Sequence, residues 1–232
     1  MKNFNPTYNF YQLTPAIFLL EVDGNNDLAH TFLRAQEFYE SGNDKFRGQK
    51  FSLEEYKSWY CSQSDSGNFS YGEDWRGFNI PSHVIEDCYK VNSERTKEDM
   101  FFLSICEKAK GLAQKNGYDN YYLLGVRKGD INTLNHEIAH GLFSTNIEYQ
   151  EMMTQAVKRV ETETIQPLFD SLKEMGYGEN VFIDEAQAYL STGLKDSQKS
   201  KDLNKLVPSF KKNFQKFMKD WSLPNPLEKN II

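Results

Sequence analysis

The stretch "TLNHEIAHGLF", residues 133–143, carries two histidines separated by three residues, with a glutamate directly after the first. At about 100° per residue, His136 and His140 lie one turn apart on the same face of a helix. The pattern therefore predicts an amphipathic helix over residues 131–144 that buries one face and directs both imidazoles into a cleft. The aliphatic residues on the opposite face are Ile131, Leu134, Ile138 and Leu142.

Two imidazoles at this spacing can bind one Zn²⁺ ion through their ring nitrogens. Glu137 follows the first histidine and projects beside such a metal, where a carboxylate can act as the general base that deprotonates water. The chain has only four histidines, and two of them stand in this motif. The alternative interpretation is a buried helix that carries this pattern by coincidence and binds no metal.

A third ligand is required, because catalytic zinc usually takes three protein ligands and a water molecule. No histidine follows His140, and the two others, His30 and His83, stand far upstream. A carboxylate is therefore the better candidate. The best one is Glu185 in "VFIDEAQAYLST", residues 181–192, because this stretch also has the spacing of a packed helix.

The neighbours of Glu185 extend the candidate site. Tyr189 stands one helical turn further on, so its phenol can approach the same cleft and stabilise an oxyanion. Asp184 is either a rival ligand or a partner that orients a histidine N–H. The alternative for this helix is a surface glutamate beside a half-buried tyrosine. Weaker ligand candidates lie on a polar stretch typical of a solvated helix face: Glu148, Glu151, Glu161 and Glu163.

Together these residues resemble the zincin metallopeptidases, and among them the gluzincin arrangement of HExxH followed by a helix-borne glutamate. The resemblance rests on "HEIAH" (136–140), on "DEAQAY" (184–189) and on the order amphipathic helix, "YYLLGV" strand and HExxH helix within residues 93–195. It implies His136, His140 and Glu185 as ligands of one zinc ion per chain. It also implies Glu137 as the general base and Tyr189 as a stabiliser of the transition state.

The same resemblance implies an α+β, zincin-like fold that is mostly helical, with a small mixed sheet beside the HExxH helix. In that fold an edge strand of the sheet pairs with an extended peptide substrate. Phe143 and Asn146 stand where the extended metzincin motif has glycine and histidine, so that branch is disfavoured. Because His140 and Glu185 are far apart in the sequence, the chain between them must cross and return.

The leading hypothesis is a zinc-dependent metallopeptidase, a hydrolase that cleaves a peptide or protein substrate with Glu137 as general base. A second hypothesis is a catalytically weak or inactive zincin-like protein that binds a peptide or protein partner. In such a protein, the aromatic segment 61–82 or the basic, phenylalanine-rich helix near the C-terminus can plug the cleft. Zinc-dependent hydrolysis of a non-peptide amide would use the same residues.

The pattern divides the chain into three segments. Residues 1–92 form an N-terminal lobe packed on the core. The lobe begins with a strand at "AIFLLEV" (16–22), a helix at 27–41 and a short helix capped by Ser52 and Glu55. An aromatic loop at 61–82, which folds back on the core, and a helix capped by Ser82 follow. Residues 93–195 form the metallopeptidase core. It includes a helix at 93–117 that packs through residues such as Met100, a strand at 120–126, and a helical region at 148–175 that breaks or kinks at Pro167.

Residues 196–232 form a polar linker and an amphipathic helix whose apolar stripe identifies it as a packing helix. The stripe comprises Leu203, Val207, Phe210, Phe214, Phe217 and Trp221.

Composition limits the class of protein and its partners. A chain of 232 residues with 39% hydrophobic residues can bury a sizeable core. A formal net charge of −6 argues against nucleic acid or an anionic membrane as the main partner. Three cysteines outside any CxxC pair suggest reduced thiols, and no apolar run has the length of a membrane span or of a signal-peptide core. The sequence therefore predicts a cytoplasmic protein and carries no signal for its oligomeric state.

Overall fold

A five-stranded mixed sheet organises the first part of the chain in the computed structural model, with the strand order β3-β4-β2-β1-β5. The strands are β1 (Tyr8–Gln12), β2 (Ile17–Val22), β3 (Gly77–Pro81), β4 (Tyr122–Arg127) and β5 (Glu228–Asn230). β2 and β4 run parallel, and the other neighbours are antiparallel. The strands predicted at "AIFLLEV" and at 120–126 are therefore confirmed, as is an α+β protein with a small mixed sheet.

The structure describes residues 4–63, 67–218 and 222–230, and the chain forms two units. Unit 1 comprises Met1–Asp130 with Pro224–Ile232, and unit 2 comprises Ile131–Leu223. Of the segment boundaries predicted from the sequence, residue 92 falls inside unit 1 and residue 195 inside unit 2. The first unit extends past residue 92 because β4 pairs with β2 in one sheet.

In its described part, unit 1 contains five helices, and the second of them begins at its predicted capping signal. They are α1 (Asn25–Glu40), α2 (Leu53–Gln63), α3 (Tyr71–Asp74), α4 (Ser82–Val91) and α5 (Lys97–Lys115). The capping box before α2 is confirmed, since Ser52 N donates to Glu55 Oε2 at 2.8 Å and Glu55 N donates to Ser52 Oγ at 3.1 Å. α5 begins later than predicted because Thr96 and Asp99 form a capping box of their own.

Helix α1 approaches the sheet closely at a single glycine. A Cβ atom added at Gly125 of β4 would lie 2.3 Å from the Phe32 ring of α1, so only glycine fits there. The Phe32 ring stacks in turn on Phe78 of β3, with centroids 5.2 Å apart. This aromatic contact fixes α1 across the two strands, as the helical spacing of its apolar residues predicts.

Three expectations for unit 1 were wrong in detail. The segment 61–82 is not one loop, since it contains the end of α2, helix α3 and strand β3, with residues 64–66 outside the described part. Phe69, Tyr71 and Phe78 pack on the core as predicted, whereas Trp75 is 37% exposed. Ser82 does not cap α4, because its Oγ accepts a hydrogen bond from Tyr121 N at 3.1 Å. Met100 is 59% exposed, because α5 turns Phe102 towards the core instead.

A buried carboxyl in unit 1 makes stability depend on pH. Glu37 is 5% exposed and accepts a hydrogen bond from the Tyr71 hydroxyl at 2.6 Å. Burial raises the pKa of Glu37, although hydrogen bonds from Tyr71 and Ser41 oppose that rise. The folded chain therefore holds this proton to higher pH than the unfolded chain does. Its free energy of unfolding falls as pH rises from the ordinary glutamate pKa to the raised one.

Replacing the Glu37 carboxyl with an amide is expected to remove this fall in the free energy of unfolding with rising pH. Glu37→Gln keeps an oxygen that can accept from Tyr71, and it carries no charge to desolvate. We expect its free energy of unfolding at pH 7–8 to exceed that of the wild type by on the order of 1 kcal/mol, with a smaller difference at pH 4. Urea unfolding at both pH values measures this. An equal change at both values would contradict the titration of Glu37.

Unit 2 is helical in its described part and is arranged around one helix. Its helices are α6 (Ile131–Thr145), α7 (Ile147–Lys158), α8 (Thr162–Glu174), α9 (Phe182–Thr192) and α10 (Lys201–Phe217). Helix α9 packs against each of the other four. The chain thus leaves α6, makes two helices and returns along α6, as the separation of His140 and Glu185 requires. No described helix is long and apolar enough to cross a membrane.

Some details of unit 2 differ from prediction. The helical region 148–175 breaks between α7 and α8, at residues 159–161, and Pro167 lies inside α8. The break falls there because the backbone of Glu161 leaves the helical region, with φ −56° and ψ 136°, and Glu161 is the N-cap of α8. Ile131 is 52% exposed rather than packed, since it is the first residue of α6. In α10, Leu203, Phe210 and Phe214 are buried as predicted, whereas Trp221 lies outside the described residues.

Candidate metal centre

Two helices of unit 2 bring three potential metal-ligand side chains together. His136 and His140 project from α6 with their Nε2 atoms 3.2 Å apart. Glu185 projects from α9, with Oε1 3.7 Å from His140 Nε2 and Oε2 3.9 Å from His136 Nε2. One ligand atom from each of the three lies within 4.8 Å of the others. The helix and the helix-borne carboxylate predicted from the sequence therefore meet at one point.

The spacing of these donor atoms fits a zinc ion. Tetrahedral zinc with Zn–N distances near 2.0–2.1 Å separates neighbouring donors by about 3.3 Å. The two Nε2 atoms are 3.2 Å apart, close to this value, and the nearest carboxylate oxygens lie 3.7 Å from His140 Nε2 and 3.9 Å from His136 Nε2. Two imidazoles and one carboxylate are also a donor set that zinc accepts readily.

Oxygen partners behind the rings direct both Nε2 lone pairs to the same point. His140 Nδ1 lies 3.0 Å from Asp184 Oδ1, and His136 Nδ1 lies 3.3 Å from Thr192 Oγ1. The Thr192 hydroxyl donates its own proton to Ala188 O at 2.7 Å, so its oxygen can accept one from the ring. We infer that, with a metal ion bound, both rings keep a proton on Nδ1 and bind the ion through Nε2. Asp184 thus occupies the position of an orienting partner rather than that of a ligand.

The electrostatic environment differs between the two rings. Burial lowers the pKa of His136 well below its usual value, and the positive charges of His140 and Lys195 add to this effect. Burial also acts to lower the pKa of His140, but Asp184 and Glu185 outweigh it and raise that pKa well above its usual value. The carboxylates thus create a negative potential around His140, and a bound cation would also be favoured by it.

Glu137 and Tyr189 border the same cluster. Glu137 is 5% exposed, and its charge influences the pKa values of both His140 and Tyr189. The Tyr189 ring lies 4.6 Å from the His136 ring, centroid to centroid. Burial, followed by the charge of Glu185, raises the pKa of Tyr189 far above neutrality. Its hydroxyl therefore stays protonated and remains a hydrogen-bond donor.

The face of α6 that carries the histidines is nearly as buried as its aliphatic face. His136 is the most exposed of the clustered side chains at 19%, compared with 3% for His140 and 7% for Glu185. The reason is that α9 packs directly on this face of α6. The exposed ammonium of Lys195 lies over the Tyr189 ring, 5.3 Å from its centroid. His136 is therefore the part of the cluster with the most access to solvent.

The weaker ligand candidates are not part of the cluster. Four glutamates of α7, α8 and the turn between them are exposed, as expected for a solvated face: Glu148, Glu151, Glu161 and Glu163. His30 and His83 belong to unit 1. Among the residues that the structure describes, the only group of three or more potential ligands within reach of one ion is His136, His140 and Glu185.

Sequence reasoning missed three side chains around the cluster. Thr192 contacts His136, Gln187 contacts Asp184, and Tyr149 of α7 contacts Gln187. Gln187 has one recognisable signal, since a glutamine between two alanines on a packing helix needs buried partners.

Comparison of the chain with family models, with curated proteins and with solved structures gave no match.

Proposed function

We propose that this protein is a zinc-dependent metallopeptidase with a zincin-like arrangement of its active-site helix. The observation that carries the proposal is the pair of Nε2 atoms 3.2 Å apart, with an oxygen partner behind each ring and the Glu185 carboxylate beside them. A coincidental helix has no need to hold two imidazoles in this orientation. The reduced cysteines Cys61, Cys88 and Cys106 agree with the proposed cytoplasmic location.

His136, His140 and Glu185 would hold the zinc ion, one per chain. When bound, zinc supplies a Lewis acid that polarises a carbonyl group and lowers the pKa of water. Glu137 accepts the proton of the attacking water and returns it to the leaving amine. Tyr189, which stays protonated, donates a hydrogen bond to the developing oxyanion. Asp184 and Thr192 keep the two imidazoles in the tautomer that these steps require.

A second candidate is a zincin-like protein that binds a peptide or protein partner with little or no turnover. The burial of the cluster favours it, since the side chains of His140 and Glu185 are only 3% and 7% exposed. The two candidates share the metal and differ in whether a peptide reaches Glu137.

Metal removal from the protein is expected to separate them. Zinc-loaded protein incubated with a peptide library should cleave a subset of sequences, with a rate that falls at least about 100-fold after chelation and returns when zinc is restored. Mass spectrometry of the products identifies the cleaved bonds. Zinc-replete protein that cleaves nothing, yet retains particular peptides, would contradict the peptidase and support the binding protein. A non-peptide amidase would leave the whole library unbound and uncut.

A further inference from the structure

A buried glutamine connects the metal cluster to its supporting helices. Gln187 of α9 is fully buried, and both ends of its amide are bonded. Its Nε2 donates to Asp184 Oδ1 at 2.9 Å and to Ala139 O of α6 at 3.3 Å. Its Oε1 accepts a hydrogen bond from the Tyr149 hydroxyl at 2.7 Å. The glutamine therefore joins α6, α7 and α9 directly behind His140.

The tyrosine at the other end of this chain of bonds is also fixed. Tyr149 is fully buried near the start of α7, and its backbone N–H donates to Asn146 Oδ1 at 3.0 Å. Its ring makes edge-to-face contacts with Phe214 and Phe217 of α10, with centroids 6.4 and 5.1 Å apart. The phenol thus points at Gln187 from a position set by two helices.

We propose that Gln187 and Tyr149 are positioning residues that hold Asp184, and through it the His140 imidazole, in the orientation that metal binding requires. This inference rests on the proposed metal site. Asp184 Oδ1 and Ala139 O both accept from Gln187 Nε2, and this sets which end of the amide faces Asp184. The Tyr149 hydroxyl donates to Oε1 and so holds the other end of the amide in place. With that amide reversed, an oxygen would face the carboxylate and repel it.

The consequence for Asp184 is a fixed carboxylate. The same oxygen, Oδ1, accepts from Gln187 Nε2 and lies 3.0 Å from His140 Nδ1. An aspartate with a side chain that is 24% exposed would otherwise rotate among several rotamers and release the ring. The link also gives the aromatic stripe of α10 a role in the site. By packing on the Tyr149 ring, α10 helps to set the affinity of a site to which it contributes no ligand.

Tyr149→Phe tests this inference, because it deletes one hydroxyl and keeps the ring that packs on α10. We expect the zinc dissociation constant to rise about tenfold, as measured by competition with a chromophoric chelator. Loss of a residue that supports a metal ligand weakens metal binding by about 10- to 100-fold, and a single lost hydroxyl should lie at the lower end of that range. In metal-free protein, we expect the His140 Nδ1 proton, followed by NMR, to exchange with water several-fold faster. Tyr71→Phe is the matched control. It removes an equally buried bond, 2.6 Å long, in unit 1 and should change neither quantity.

A double-mutant cycle distinguishes positioning from a general loss of stability. If Tyr149 acts through Asp184, Tyr149→Phe should change zinc affinity less than about twofold in an Asp184→Asn background. An equal loss in both backgrounds, or unchanged affinity and exchange in Tyr149→Phe itself, would overturn the inference. Wild-type protein that binds no zinc would refute the proposed function, and the exchange rate of the His140 ring proton would still decide whether Tyr149 positions that ring.

Discussion

Glu137→Gln is expected to lower kcat/KM for peptide hydrolysis by about 100- to 10,000-fold, the contribution of a general base. The amide has the shape of the carboxylate, but it cannot accept a proton from water. Because Glu137 is 5% exposed on a helix whose register is fixed by packing, an isosteric replacement should leave its neighbours in place. Turnover is measured on the best substrate from the peptide library, and zinc content is measured by elemental analysis.

The zinc content of this variant distinguishes the loss of a general base from the loss of the metal ion. Glu137 is not one of the three clustered ligands, so Glu137→Gln should still hold one zinc ion per chain. Glu151→Gln makes the same chemical change at an exposed position on α7 and should retain full activity. If turnover of the zinc-loaded Glu137→Gln protein equalled that of the wild type, the proton would be accepted elsewhere. The general-base role of Glu137 would then be wrong.

The elements that carry the cluster could be predicted because their signals are local. Helical periodicity is enough to place α6 and α9, and the spacing of His136 and His140 within one helix fixes their mutual orientation. Glu185 required a further step, because its approach to α6 depends on the path of α7 and α8. The sequence indicated the carboxylate, but only the packing of α9 against α6 brings its oxygens within 4 Å of both rings.

What the sequence could not indicate depends on contacts between distant segments. Strand β3 is short and contains glycine and proline, so its pattern is typical of a loop until β4 pairs with it. Strand β5 has three residues and exists only through its pairing with β1. Strand β4 is paired on both sides, with β2 and β3, and the edges in the described sheet are β3 and β5. The order of the strands follows from pairing between distant segments, which the sequence pattern does not indicate.

Removing either histidine of the cluster is expected to abolish zinc binding. His140→Ala removes a ring nitrogen and leaves the Asp184 carboxylate without its ring, so we expect zinc content to fall from about one ion per chain to below about a tenth after gel filtration without added metal. His136→Ala should do the same and is the safer variant, since this side chain is 19% exposed and its loss leaves a smaller buried cavity. His83→Ala, an exposed histidine of unit 1, is the matched control and should keep its zinc.

Glu185→Ala decides where the third ligand lies. Two imidazoles alone bind zinc much more weakly than three ligands do, so we expect this variant to lose zinc at least about 100-fold more readily than the wild type in a chelator titration. Zinc should also raise the melting temperature of the wild type and leave that of Glu185→Ala nearly unchanged at the same zinc concentration, because stabilisation follows the ratio of free metal to its dissociation constant. If Glu185→Ala stays fully loaded while both histidine variants are empty, the third ligand is another carboxylate. Asp184, with Oδ1 already 3.0 Å from His140 Nδ1, would then have to leave that ring to bind the ion, and Asp184→Ala should lose the metal instead.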